Sequence, residues 1–324
     1  MSEFPPYLLL LCFVGGLFLL TKGADWFVDG LSAIALNFGM SKLIVGLTVV
    51  AIGTSAPEFA VSGYAAFKGS GDIALANVIG SNIFNIGFIL AICAIASPIK
   101  VLPSMVYRDM PVLLLGAVIV SVLALQGGIS RPYGIGLLVI LAIYLGYLIR
   151  QITKERKVDA ETIATINIAE EEINSEKLRN GPAMLRGFIG LVALLVGCNL
   201  VVESAKTVAL SMGLSEWFIG ITVIAVGTSL PELITAIASI RKNETDLGVG
   251  GLIGSDIFNI FGVLGMASII RPIESHPDSA VPFYFFIFAV VLTLIFLRTG
   301  WKLTRKEGWT LLIISAIRYA FEIF

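Results

Sequence analysis

Two short stretches of this chain set carboxylates, hydroxyls and a proline into otherwise apolar sequence. GTSAPE runs from Gly53 to Glu58, and GTSLPE from Gly227 to Glu232. On a helix, Thr54 lies four residues and Ser55 three residues before Glu58, so the three share a face; Thr228, Ser229 and Glu232 repeat the pattern. Pro57 and Pro231 withhold a donor from the carbonyls of Gly53 and Gly227. In hydrocarbon such a freed carbonyl needs another partner. Carboxylate, hydroxyl and carbonyl oxygens are the ligands that hard cations such as calcium and sodium take. An acid at mid-membrane costs up to about 3 kcal/mol, and the chain carries one at each of two equivalent places. The pattern predicts a cation site.

A second pair of motifs follows the first at equal distance. GSNIFN spans Gly80 to Asn85, and GSDIFN spans Gly254 to Asn259. Ser81 and Asn85 are four apart, as are Ser255 and Asn259, so each pair is expected to face a neighbouring helix, with Gly80 and Gly254 allowing close approach. Asp256 is a third in-membrane acid, and its counterpart in the first motif is the neutral Asn82. Turned toward the cavity, it takes the formal charge of the site from −2 to −3. Asp25, Asp29 and Glu203 fall toward span ends and read as interfacial, with Lys206 one turn from Glu203 as its expected partner.

The elements that must position these residues are membrane helices. Of 324 residues, 57% are hydrophobic and only 14% charged, against about 25% charged in ordinary soluble domains. Mean hydropathy is +0.93. Apolar stretches long enough to cross a bilayer fall at 6–30, 41–67, 72–96, 109–126 and 132–151, then at 183–210, 215–240, 246–270, 280–297 and 307–323. One polar break, Thr153 to Pro182, divides them; its run Glu170, Glu171 and Glu172 reads as a solvated face. Adding 174 to a first-half position gives its second-half counterpart without a gap from Gly23 to Pro98: Glu58 maps to Glu232, Asn85 to Asn259, Pro98 to Pro272. Five spans per half is an odd number, so the second half enters the membrane from the opposite side. The predicted fold is therefore an all-α membrane protein of ten transmembrane helices in two inverted five-helix repeats. The predicted divisions are 1–152 (first repeat, motifs at 53–87), a short cytoplasmic linker at 153–182, and 183–324 (second repeat, motifs at 227–262).

Charge placement orients the chain. With the N-terminus outside, 17 Lys and Arg residues fall on inner connections and five, Lys68, Arg131, Lys206, Arg271 and Arg318, on outer ones. Both termini are expected outside a cell membrane, of prokaryotic type. The first residues carry Glu3 and no basic residue, unlike a signal peptide, so the first apolar segment is expected to remain as a span. Cys12, Cys93 and Cys198 lie in apolar spans without metal-ligand spacing, and His276 is the only histidine. No nucleophile–base set can be assembled, which argues against an intramembrane enzyme. Nothing in the sequence calls for a resident cofactor, a nucleic acid or an obligate protein partner; the partners expected are the lipid bilayer and the ions themselves.

With these motifs in order and in the right spans, the chain resembles the calcium/cation antiporter superfamily, and specifically compact prokaryotic sodium/calcium exchangers. GTSAPEF with GSNIFNIG and GTSLPEL with GSDIFNIFG look like that family's two alpha-repeats. The resemblance implies that Glu58 and Glu232 bind calcium or sodium in turn, with Thr54, Ser55, Ser81 and Asn85 lining one half of the site and Thr228, Ser229, Ser255 and Asn259 the other. It implies three sodium ions exchanged for one calcium, with spans one and six sliding against the remaining bundle. It also implies no large calcium-sensing domain, since 153–182 is too short to hold one. The chain departs from the family pattern at Asn259, where many relatives carry aspartate, and at Asp256, where they usually carry a neutral residue. Two rival functions share the residues: a calcium/proton antiporter using the same glutamates, and a passive cation channel.

Overall fold

The computed structural model describes residues 5–37, 55–158, 180–241, 245–275 and 280–323. Thr54, the start of the second expected span, the run Glu170–Glu172 and His276 lie outside the described residues. The chain is almost wholly helical. Its helices are α1 (Pro6–Asn37), α2 (Ala56–Lys68), α3 (Gly71–Phe84), α4 (Leu90–Ala96), α5 (Met110–Leu125), α6 (Arg131–Val158) and α7 (Asn180–Met212). After them come α8 (Glu216–Ile219), α9 (Ala225–Thr228), α10 (Leu230–Arg241), α11 (Thr245–Phe258), α12 (Leu264–Ile270), α13 (Val281–Arg298) and α14 (Arg305–Ile323). Among the described residues, eight helical stretches are long and apolar enough to cross a membrane. This is an all-helical, multi-pass membrane protein. The expected second span enters the described residues only at its C-terminal part, and the tenth, α14, carries Arg305, Lys306, Glu307, Arg318 and Glu322 along its length.

The 174-residue offset is visible in element boundaries. α3 and α11 begin and end at offset positions, and each runs through a π-helical turn (Asn85–Ile89 and Asn259–Val263) into α4 and α12. Two-residue strands match as well. β1 (Ile99–Lys100) pairs with β4 (Lys302–Leu303), while β2 (Gly128–Ile129) pairs with β3 (Ile273–Glu274), both antiparallel. Each half therefore lends one strand to the other, and exchanging the halves reproduces both pairings.

Burial sorts the spans into centre and periphery. Gly71–Ala96 and Val249–Ile270 are mostly enclosed by protein, whereas Tyr7–Phe27 and Arg131–Gln151 are mostly exposed. An outward face of Leu10, Leu11, Val14 and Phe18 on α1 suits lipid. α1 and α7 pack on each other along most of their length, and glycines make that possible. A β-carbon on Gly16 would come within 3.0 Å of the Gly197 carbonyl; on Gly23, within 2.9 Å of the Gly190 carbonyl; on Gly30, within 2.6 Å of Gly187 Cα. Positions rise along α1 as they fall along α7, so these two helices, equivalent in the repeat, run antiparallel. Backbone-to-backbone approach of this kind is how small residues join membrane helices.

Candidate cation site

The second acidic motif sits at a one-residue interruption, Ser229, between α9 and α10, and the described part of the first begins at the equivalent residue, Ser55. Ser55 has φ −87° and ψ 8°, and its counterpart Ser229 has φ −84° and ψ 6°. Both lie in the sparsely populated bridge region that turns a chain out of a helix. α2 and α10 begin at the next residue, placing Pro57 and Pro231 in a first turn, where a missing N–H costs nothing. Glu58 and Glu232 fall in those same first turns. The positive end of the helix dipole therefore points at each carboxylate and offsets part of its desolvation.

All ten predicted site residues that are described, Ser55, Glu58, Ser81, Asn85, Thr228, Ser229, Glu232, Ser255, Asp256 and Asn259, are buried. They are joined mostly across the two halves. Ser229 donates to Glu58 Oε1 at 3.2 Å. Ser55 and Ser255 share a hydroxyl contact of 2.6 Å, and Ser255 donates to Glu232 Oε1 at 3.0 Å. Ser81 lies 3.3 Å from the Thr228 hydroxyl. Asn85 Nδ2 donates to Asp256 Oδ1 at 2.8 Å, and the symmetry-equivalent contact is Asn259 Nδ2 to Asn82 Oδ1 at 3.3 Å. Asn82 Nδ2 also donates to the Asp256 carbonyl at 3.1 Å.

What stays unpartnered is informative. Among the described residues, buried Glu58 Oε2, Glu232 Oε2, Asp256 Oδ2, Asn85 Oδ1 and Asn259 Oδ1 find no hydrogen-bond donor. All five are acceptors, and leaving such atoms orphaned in a dry interior is costly. Among the described residues no three Asp, Glu, His or Cys side chains converge on one point. The donor set is mixed: carboxylate, hydroxyl and amide oxygen. Such a set attracts hard cations and has no nucleophile–base pair for covalent chemistry.

Several expectations are adjusted. Thr54 lies outside the described residues. Gly80 does allow close approach, since a β-carbon there would meet the Ile221 carbonyl at 2.5 Å, but among the described residues nothing comes near Gly254. The segment that would repeat the contact, 47–51, is not described. Lys206 does not pair with Glu203. It bonds Glu216 at 2.8 Å and Ser70 at 2.9 Å, while Glu203 takes Lys68 at 3.5 Å. Asp29 pairs with Arg186 at 2.7 Å, and both are half exposed, in keeping with an interfacial position.

Sequence reasoning missed Asn77. Fully buried, it donates to Ser62 at 3.0 Å and accepts from Thr228 at 3.1 Å, and so ties α2 to the second-half motif through α3. Its repeat counterpart is Gly251, so comparison of the halves gave no hint. Its place four residues before Ser81, on the same helix face, was the available signal.

The family model described as sodium/calcium exchanger protein matches residues 8–150 and 183–323. The chain belongs to the sodium/calcium exchanger family. Inner membrane protein YrbG of Escherichia coli is 36% identical over 296 residues, covering 90% of this chain and 89% of that protein. Sodium/calcium exchanger MaX1 of Methanosarcina acetivorans is 34% identical, covering 92% and 93%. Among solved structures, the sodium-calcium exchanger NCX_Mj soaked with 10 mM Na+ and 10 mM Sr2+ matches with a TM-score of 0.61 and 33% identity, over 98% of this chain and 99% of that one. Membership places the chain among cation exchangers, not among enzymes.

Proposed function

We propose that the chain exchanges sodium for calcium across a cell membrane, at one site that binds the two ions in turn. The observation that carries this reading is the set of five buried oxygens that find no donor among the described residues, with Glu58 and Glu232 in the first turns of α2 and α10. Glu58 and Glu232 supply the charge. Ser55, Ser81, Asn85, Thr228, Ser229, Ser255 and Asn259 complete the oxygen shell, with Thr54 added by its place in the motif. Calcium on the glutamates excludes sodium, and sodium displaces it, because both need the same oxygens.

Alternating access fits the same geometry. An empty anionic site is costly to carry through a dry gate, so the protein switches when its carboxylates are neutralised. The glycine seam between α1 and α7 supports a reading in which that pair slides over the central bundle. Their antiparallel run, the reciprocal strands and the matched boundaries support ten helices in two inverted repeats, 1–152 and 183–324, joined by a linker at 153–182. The strand pairs also fit five spans in each half, since β1 with β4 and β2 with β3 then each join connections on the same side, whichever way the chain enters the membrane.

Proteoliposomes loaded with sodium test the exchange. Calcium uptake should follow an imposed sodium gradient and not an imposed proton gradient. Uptake driven by protons alone would make the protein a calcium/proton antiporter, and calcium flux without any counter-ion would make it a channel.

A further inference from the structure

Toward its C-terminal end, α7 touches the central bundle through charges. Glu203 and Lys206 stand one turn apart on α7 and meet opposite signs: Glu203 takes Lys68 of α2 at 3.5 Å, and Lys206 takes Glu216 of α8 at 2.8 Å. Lys206 also donates to Ser70 at 2.9 Å. The order of signs defines a register. Three residues of helix rise about 4.5 Å. A shift of α7 by that much one way sets Lys206 against Lys68, and the other way it sets Glu203 against Glu216. Like charges meet in both directions.

Ser70 shows what the contact costs. It directly precedes α3 and is only 3% exposed. A serine there ordinarily accepts from the first turn of its helix. The Ser70 side chain makes no such cap and receives an ammonium group instead, at the helix end where positive charge is disfavoured. Departures of this kind from local preference gather at functional contacts. A cavity of about 210 Å³, lined in part by Ser70 and Glu216, lies against the pair. Lys206 and Glu216 are themselves partly exposed, so the contact can open without stranding bare charges in a dry interior.

The repeat does not carry the contact over. Lys206 and Glu216 have Ser32 and Lys42 as counterparts, and Asp29, at the Glu203 position, pairs with Arg186 inside the α1–α7 unit. Two identical inverted halves would give two access states of equal energy. A charged contact built on one half alone makes them unequal.

Resting on the exchange reading and its sliding α1–α7 pair, we infer that Lys206, with Glu216, Ser70 and the Lys68–Glu203 pair, is a latch that holds α1–α7 in one register on the central bundle and so favours one of the two access states. None of these residues belongs to the cation site. The latch acts on population: the face open in the favoured state binds calcium at nearly its full affinity, and the other face binds more weakly by the fraction of time it is open.

The test expresses the full chain in a host without sodium/calcium exchange of its own. The calcium half-saturation of sodium-driven uptake is measured in right-side-out and in everted membrane vesicles. In Lys206→Gln it should rise on one face and fall on the other, changing the ratio of the two by about fivefold, the equilibrium shift that a partly exposed ion pair supplies. Glu216→Gln opens the same pair from the core side and should move both values in the same directions, so the outcome does not hang on the folding of one variant. Lys206→Glu combined with Glu216→Lys should restore the natural ratio, which a merely structural role would not. Unchanged half-saturations, a loss of equal size on both faces, or a ratio that the charge exchange leaves altered would overturn the latch and leave the exchange reading standing. Absence of any sodium-driven uptake by the natural sequence would overturn both.

Discussion

Along the α1–α7 seam the halves meet through glycine backbone, whereas between α2–α3 and α9–α11 they meet through hydrogen-bonded side chains. The seam is held by van der Waals contact at Gly16, Gly23 and Gly30, with the Arg186–Asp29 pair at an exposed end. Such a seam needs glycine to face glycine, so it locks α1 and α7 together as one unit. The central interface is the reverse, because Ser229, Ser255, Asn85 and Asn259 each reach a specific partner atom. Directional bonds fix one register and penalise others. One interface makes a pair that suits moving as a single body, and the other suits holding ligands in place.

Predictions that break this contrast run from the centre outward. Glu58→Gln or Glu232→Gln should lower sodium-driven calcium uptake by at least about a hundredfold, because each removes a charge that calcium needs at mid-membrane. The same variants should melt no earlier than the natural sequence, since removing a buried, half-partnered carboxylate relieves desolvation. Near-normal uptake in either would undo the site assignment. Gly23→Leu should wedge the seam, where even a β-carbon would come within 2.8 Å of the Leu194 amide nitrogen. We expect transport to fall about tenfold while calcium binding by calorimetry stays within about threefold, the mark of a lesion in movement rather than in the site. Equal losses in both would mean the seam supports the site directly.

Asn77→Ala should cost about 1–3 kcal/mol in thermal unfolding by stranding Ser62 and Thr228, with calcium affinity falling by about tenfold as Thr228 loses its anchor. A change in unfolding without any change in affinity would make Asn77 a structural residue only. Arg186→Gln should shift stability by less than about 1 kcal/mol, as exposed ion pairs do, and leave transport unchanged.

Much of this was legible in the sequence because repetition and burial act on the same residues. The offset of 174 holds to the residue between α3 and α11, whose expected spans 72–96 and 246–270 start one residue late, and the cost of acids in hydrocarbon singled out Glu58 and Glu232. Asp256 was found by its mismatch with Asn82. The proline positions were harder, since a proline read from sequence suggests a kink inside a helix, and only the backbone shows Pro57 and Pro231 in the first turns of α2 and α10. Asn77 escaped because its counterpart Gly251 has no side chain to match it. The seam had a signal that went unused: Gly16, Gly23 and Gly30 recur every seven residues, the spacing that returns a helix to one face. Two-residue strands and salt-bridge partners such as Lys206 with Glu216 depend on distant segments meeting, which no local pattern records.

The reciprocal strands also bear on how the molecule is made. β1 leaves the ribosome early, but its partner β4 is synthesised roughly 200 residues later, just before the last helix. β2 likewise waits for β3. Neither half can therefore finish its own connections alone, and the first half must stay in the bilayer with an open strand edge until the second arrives. Assembly is a late, joint event, and a chain cut before Lys302 loses more than its final helix: it leaves the loop after α4 without the strand that closes it.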